Sequence, residues 1–282
     1  MPKSDRWRKI LTPLEPIPSG CAQRGKPRGK IVCMVFDIYG TLFISGSGDI
    51  RATKRANFNW VRIEDLLHRY RIEKSPKHLL SSYFSAIESE HIVIKKKGID
   101  YPEVDVIQIW RKVLGSCRPE DLHSFAFEFE LIINPVYPMP HLGDLLSACK
   151  RSSIKMGIIS NAQFYTPILF EIFFNRDVAT LGFDPDLTVY SYQIEQAKPS
   201  AALFELMGEC LDKKGIPRSS TLFMGNDMRN DIRPAHAVGF QTALFAGDAR
   251  SLRMRMDDVN CRGFSADMVI TDLNQLVAFL EQ

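Results

Sequence analysis

The sequence predicts an α/β fold, a parallel sheet with helices on both faces, with a block of helices inserted after the first strand. Two patterns predict it. Apolar runs of strand length at 31–36, 155–159, 187–190, 222–224, 242–245 and 268–270 alternate with segments whose apolar residues recur three or four positions apart. Such alternation calls for parallel strands joined by helical crossovers. Between about residues 46 and 136 the alternation stops, and only helical spacing remains.

In chain order, residues 1–30 come first, a basic arm. Lys3, Arg6, Arg8, Lys9, Arg24, Lys26, Arg28 and Lys30 against Asp5 and Glu15 give it +6, so the rest of a chain of net charge +3 carries −3. Its five prolines predict an extended, solvated tail, with no nucleic-acid partner implied. The 31–36 run follows and stops on Asp37. The insert then reads as helices at "NWVRIEDLLHRYRI", "SPKHLLSSYFSAIESEHIVIKKKG", "VDVIQIWRKVLG" and "DLHSFAFEFELIINPV". Lys95, Lys96 and Lys97 within it suit a helix C-terminus, where cations are favoured. Further helices are predicted at "HLGDLLSACKRS", "DIRPAHAVGF" and "PSAALFELMGECLDKKG", the last with Pro199 near its start and Gly215 just past its end.

With 282 residues, 45% of them hydrophobic, the chain can bury a sizeable core. No apolar run approaches the roughly 18 residues of a membrane span, and the first twenty residues hold charges and prolines where a signal peptide has its apolar stretch. A cytoplasmic protein without membrane partners is expected. The six cysteines are scattered with no C-x-x-C pair, which suggests reduced thiols.

Ligands of open α/β sheets bind beyond the carboxyl ends of the strands, so residues directly after each run matter most. Four polar clusters follow such a run or open a helix. "VFDIYGTLF" supplies Asp37 and Thr41, "GIISNAQF" Ser160 and Asn161, "QAKPS" Lys198, and "LFMGNDMRNDIRPA" Asn226, Asp227, Asn230 and Asp231. A carboxylate shielded from water and set beside a cation can attack an electrophile to form an aspartyl ester, which water then hydrolyses. Lys198 would steady the negative charge that develops, with Ser160 and Asn161 donating to the same oxygens. Asp227 and Asp231, four apart, can face one way at a helix start and complete an oxygen set for Mg²⁺ with Asp37 and the backbone carbonyl at Tyr39.

These four motifs, in this order, resemble those of the haloacid dehalogenase-like hydrolases from about Ile31 to the C-terminus. The resemblance implies a Rossmann-like core at 31–45 and 137–282, a helical cap at 46–136, and Asp37 as nucleophile with Thr41, Ser160 and Lys198 around it. Phosphatases of this superfamily resemble D-x-D-x-T, whose second Asp protonates the leaving group. This chain has Tyr39 there, which resembles the dehalogenases themselves, whose halide leaves without a proton. It also departs from that pattern, with Phe204 six residues after Lys198 where dehalogenases typically carry tyrosine. In the fourth motif the first acid falls on Asn226 or, with a shorter gap to Asp231, on Asp227.

The resulting expectation is Mg²⁺-dependent hydrolysis of a small phosphate ester. A 2-haloacid dehalogenase and a catalytically idle binding protein are the alternatives. The substrate is expected to be a small anion, for which Arg51, Lys54, Arg55 and Arg111 are candidate contacts. No organic cofactor is implied, and the oligomeric state is open.

Overall fold

A computed structural model describes residues 7–47, 58–115 and 119–281. Its main sheet is built from β1 (Arg24–Gly25), β2 (Cys33–Phe36), β5 (Lys155–Ser160), β6 (Phe183–Tyr190), β7 (Thr221–Gly225), β8 (Gln241–Phe245) and β9 (Met268–Ile270), in the order β1-β9-β8-β7-β2-β5-β6. All pairs are parallel except β1 with β9. A parallel sheet is covered on both faces, which is why β2, β7 and β8 are buried at every position and read as unbroken apolar runs. β2 lies between β5 and β7, and the chain leaves it first to one side and later to the other. That reversal puts a crevice at the carboxyl end of β2, where Asp37 stands.

The antiparallel pair β3 (Phe43–Ser45) and β4 (Val136–Pro138) marks where the chain leaves the sheet and returns. Between them lie α1 (Trp60–Arg69), α2 (Pro76–Lys96), α3 (Val106–Leu114) and α4 (Pro119–Ile133). Asn59, Ser75 and Asp105 cap the first three through side-chain oxygens, satisfying amides that a helix start leaves open. Their inward faces meet around Trp110, which stacks on Tyr83 at 4.4 Å and meets Phe125 and Phe129 edge-on. Asn134 ties the two connections together, its Oδ1 accepting from Ser45 Oγ at 2.9 Å and Ser47 Oγ at 2.9 Å. Among the described residues no helix is long and apolar enough to cross a membrane.

The remaining helices flank the sheet: α5 (Leu142–Arg151), α6 (Thr166–Phe174), α7 (Ala201–Lys213), α8 (Arg233–Ala237) and α9 (Asn274–Leu280). The sequence reading passes over α6 because "TPILFEIFF" is apolar nearly all round and shows no face. β6 also starts earlier than expected, at Phe183. Cysteines 33, 149 and 261 are buried free thiols, and burial pushes Cys33 and Cys149 each up to about 12.

The arm differs from the expected solvated tail. Trp7 is buried edge-on against Phe127 of α4 at 4.7 Å. Arg8 Nε donates to Ile172 O at 2.6 Å, Ile10 O accepts from Arg62 of α1 at 3.0 Å, and Ile17 N donates to Asp248 Oδ1 at 3.2 Å. The segment is a strap running from the helical insert to the sheet edge, where it adds β1. Proline-rich chain suits this course, since its contacts ahead of β1 use side chains and isolated backbone groups. Trp7→Ala is expected to cost about 2 kcal/mol, the transfer free energy of one large buried apolar side chain. Urea unfolding of the two proteins measures it.

Candidate active site

Asp37 leaves β2 with its backbone N–H bonded to Met224 O of β7 at 2.9 Å, which fixes it at the crevice floor. It is buried. Lys198 Nζ lies 2.7 Å from its Oδ1, and Ser160 Oγ, at the end of β5, donates to the same oxygen at 2.8 Å. Both donors fall on Oδ1, so Oδ2 is the oxygen left to meet an electrophile. Lys198 Nζ also donates to Asp231 Oδ1 at 2.6 Å. The ammonium thus sits between two buried carboxylates. Burial works against its charge, but Asp231 and Asp37 outweigh that and hold its pKa raised.

Asp231 is bound by its other oxygen as well. Oδ2 accepts from the backbone N–H of Asn226 at 3.0 Å and of Asp227 at 2.9 Å. Gly225 permits this approach, because a Cβ there would lie 2.5 Å from Asp231 Cβ. Burial pushes the Asp231 carboxyl up to about 7 against the pull of Lys198, and the charges of Asp37 and Asp227 add to the rise. Gly40 is required in the same way on the other side. It has φ +79° and leaves no room for a Cβ beside Ser251 and Asn226.

Asp227 and Asp231 do not act as one pair. The turn between them, Met228–Ile232, is π-helical. Asp227 caps it by accepting from Arg229 N at 2.9 Å, and Arg255 grips its carboxylate through Nε at 3.1 Å and Nη2 at 2.6 Å. The helix-start geometry that would point both acids at one cation is therefore replaced by a turn in which Asp227 is committed elsewhere. Asn226 faces Thr41 and Ser251: its Nδ2 donates to Ser251 O at 2.7 Å, and its Oδ1 accepts from Thr41 Oγ1 at 3.3 Å.

Asn161 also departs from its expected task. It accepts from Lys198 N through Oδ1 at 2.7 Å and donates through Nδ2 to Lys198 O at 3.3 Å, so it braces the Lys198 backbone and leaves Ser160 as the donor to Asp37. Asn230 is a capped backbone position, its N–H donating to Asp227 Oδ1 at 3.2 Å. Tyr39 is partly buried, with its hydroxyl 2.9 Å from Thr166 Oγ1 of α6. Burial, reinforced by the charge of Glu130, raises its pKa, so the phenol is a weaker acid than free tyrosine. Phe204 packs against Phe223 at 5.1 Å in the core. Arg111 is exposed on α3, its Nη1 donating to Gln108 Oε1 at 3.3 Å. Arg51, Lys54 and Arg55 lie outside the described residues.

Mg²⁺ is a hard cation that takes several oxygen ligands and favours anionic ones. Asp37 Oδ2, the Tyr39 carbonyl and the Asn226 amide oxygen are the donors on offer, while Asp231 already accepts from Lys198 and two backbone N–H groups. Among the described residues no three acidic, histidine or cysteine side chains form a group that could hold a metal ion. One carboxylate oxygen and two neutral ones are a sparse set, which Mg²⁺ would complete with waters and a substrate oxygen. Thr166 and Arg255 are invisible to sequence reasoning, since neither belongs to a strand-end cluster.

No family model matches the chain, and no curated protein does. Solved structures do. A HAD phosphatase from Thermococcus onnurineus superposes with a TM-score of 0.53 at 18% identity, over 89% of this chain and 98% of its own. A 2-haloacid dehalogenase from Pseudomonas syringae pv. tomato DC3000 gives 0.50 at 19%, over 89% and 98%. A defluorinating L-2-haloacid dehalogenase gives 0.53 at 16%, over 96% and 100%. The chain has the haloacid dehalogenase-like fold, a mostly parallel Rossmann-like sheet flanked by helices.

Proposed function

We propose that the protein is a hydrolase in which Asp37 displaces a leaving group that departs without a proton, the halide of a small 2-haloacid. The observation that carries this reading is the pair of donors on Asp37 Oδ1. Oδ2 attacks carbon, the new C–O bond forms as the C–halogen bond breaks, and halide leaves with the bonding electrons. Oδ1 then becomes the carbonyl oxygen of the aspartyl ester. When water adds to that carbonyl, negative charge collects on Oδ1, where Lys198 and Ser160 already point. Collapse releases the 2-hydroxy acid, returns Asp37 as carboxylate, and passes one proton to solvent. The site needs no acid for the first step, which suits a phenol tied to Thr166.

The fold neighbours include both phosphatases and dehalogenases at like similarity, so the choice rests on these residues. A second reading, Mg²⁺-dependent phosphate-ester hydrolysis, is favoured by the Asn226 amide oxygen held beside Thr41. Halide release from 2-haloacids in EDTA supports the first reading. Phosphate release that EDTA abolishes establishes the second, and neither with broad substrate panels overturns both.

Tyr39→Asp separates them further. In the dehalogenase a new anion two residues from Asp37 repels a carboxylate substrate, so halide release is expected to fall about tenfold or more. In a phosphatase the same change restores proton donation, worth about a hundred- to ten-thousand-fold. It would then raise turnover of alkyl phosphates far more than of p-nitrophenyl phosphate.

A further inference from the structure

Residues 97–105, the loop joining α2 and α3 of the helical insert, reach into the core beside the site. Pro102 pairs with Gln196 in an antiparallel bridge. Glu103 N donates to Glu195 O at 3.0 Å, and Ala197 N donates to Tyr101 O at 2.8 Å. The core strand of this short ladder runs directly into Lys198. Thus the insert holds, through backbone bonds, the segment that delivers the ammonium to Asp37.

The side chain of Glu103 anchors the ladder. Its Oε2 accepts from Ser191 Oγ at 2.8 Å, and its Oε1 accepts from Val104 N at 3.0 Å and Gln163 Nε2 at 3.3 Å. Ser191 Oγ in turn accepts from Ala162 N at 2.9 Å. Gln163 completes the link, donating through Nε2 to Val104 O at 2.7 Å and accepting through Oε1 from Val106 N at 3.0 Å. Ala162 and Gln163 follow Ser160 and Asn161, and Asn161 braces Lys198 from the other side. One carboxylate from the insert therefore joins the turn after β5 to the segment before Lys198.

We propose that Glu103 is a positioning residue: by locking the insert onto Ser191 and Gln163, it holds the Lys198 segment in place against Asp37 and Asp231. This goes beyond the proposed chemistry and rests on it only for the importance of Lys198. Among the described residues the lock is made by neutral donors, with no cation bonded to the carboxylate. Of the groups packed around it, Tyr83 of α2 feels its charge, while Lys97 and Glu195 at the rim pair with each other at 3.6 Å. Burial raises the Glu103 carboxyl to about 7, against the pull of Ser191, Val104 and Gln163. A pKa raised on docking means that docking favours the protonated acid. The lock is then complete below the free carboxyl value near 4.5, weakens by up to about tenfold per pH unit as pH rises toward 7, and is flat beyond.

Hydrogen–deuterium exchange tests this without depending on turnover, so failure of the dehalogenase reading and failure of this one are distinguishable. The amides of Glu103, Ala197 and Lys198 are followed between pH 5 and 8.5, corrected for intrinsic exchange, with amides of β2, β5 and β7 as the fold control. In the wild type the protection of the three amides is expected to fall about a hundredfold from pH 5 to 7.5 while the control strands hold. Glu103→Ala is expected to lose that protection at every pH. Glu103→Gln, which keeps a carbonyl acceptor but cannot ionise, is expected to retain protection with no pH dependence. Equal protection in wild type and Glu103→Ala overturns the proposal, as does loss in Glu103→Ala that extends equally to the control strands. A Glu103→Gln protein with the wild-type pH profile overturns it too.

Discussion

Asp37→Asn is expected to lower turnover by about 10⁴-fold or more, the scale on which removing a catalytic nucleophile acts, while leaving the protein at least as stable. The amide has the shape of the carboxylate but no charge and little nucleophilicity, so neither ester formation nor its hydrolysis can begin. Stability follows from counting buried charge. In the wild type Lys198 stands between Asp37 and Asp231, one positive charge against two negative, each within hydrogen-bond distance. With asparagine at position 37 the count becomes one against one, and the repulsion between the carboxylates vanishes. Active sites commonly hold such unfavourable arrangements at a cost in stability. The measurements are halide release for the first half and the urea midpoint for the second. Unchanged turnover would sink the mechanism, and a sharply lower midpoint would show that Asp37 is part of the structural frame.

Much of this arrangement was legible because of how parallel sheets are buried. Strands covered on both faces leave unbroken apolar runs, so the residue that ends each run announces itself, as Asp37 and Ser160 do, while Lys198 is marked by the helix that opens just after it. Asp231 was legible too, by its place after β7. What failed was the direction in which polar side chains turn. Asp227 is bound by Arg255, 28 residues on in a loop with no periodic signal, so nothing local marks that it is spoken for. Asn161 follows Ser160 and so shares its strand end, yet it spends both ends of its amide on the Lys198 backbone. The arm looked like a tail because composition reports on cores, whereas its attachment depends on one tryptophan and scattered backbone acceptors. Glu103 lay in a segment read only as the space between two helices, and its role depends on a long-range pairing that sequence spacing does not encode.

Lys198→Met removes the cation that stands between Asp37 and Asp231, and its expected consequences are the converse of those for Asp37→Asn. Two carboxylates are then left buried together, with Asp231 still held by the backbone N–H groups of Asn226 and Asp227. Breaking a buried ion pair on one side costs about 3–5 kcal/mol, because the remaining charge is uncompensated. Turnover is expected to fall sharply with it, since Oδ1 of Asp37 loses its charged donor in the second step and keeps only Ser160. The double variant Asp37→Asn with Lys198→Met isolates the electrostatic origin: if charge is what matters, it recovers a large part of the lost stability, because one buried carboxylate with two backbone donors replaces two in contact. Contacting residues in one network are coupled by about 0.5–3 kcal/mol, which urea unfolding of the four proteins resolves. A loss below about 1 kcal/mol in the single variant, the worth of an exposed pair, would mean that water reaches the cluster and that Lys198 does not stand in a closed site. Additive losses in the double variant would place the effect of methionine in packing alone, and Lys198 would then have no electrostatic hold on Asp37.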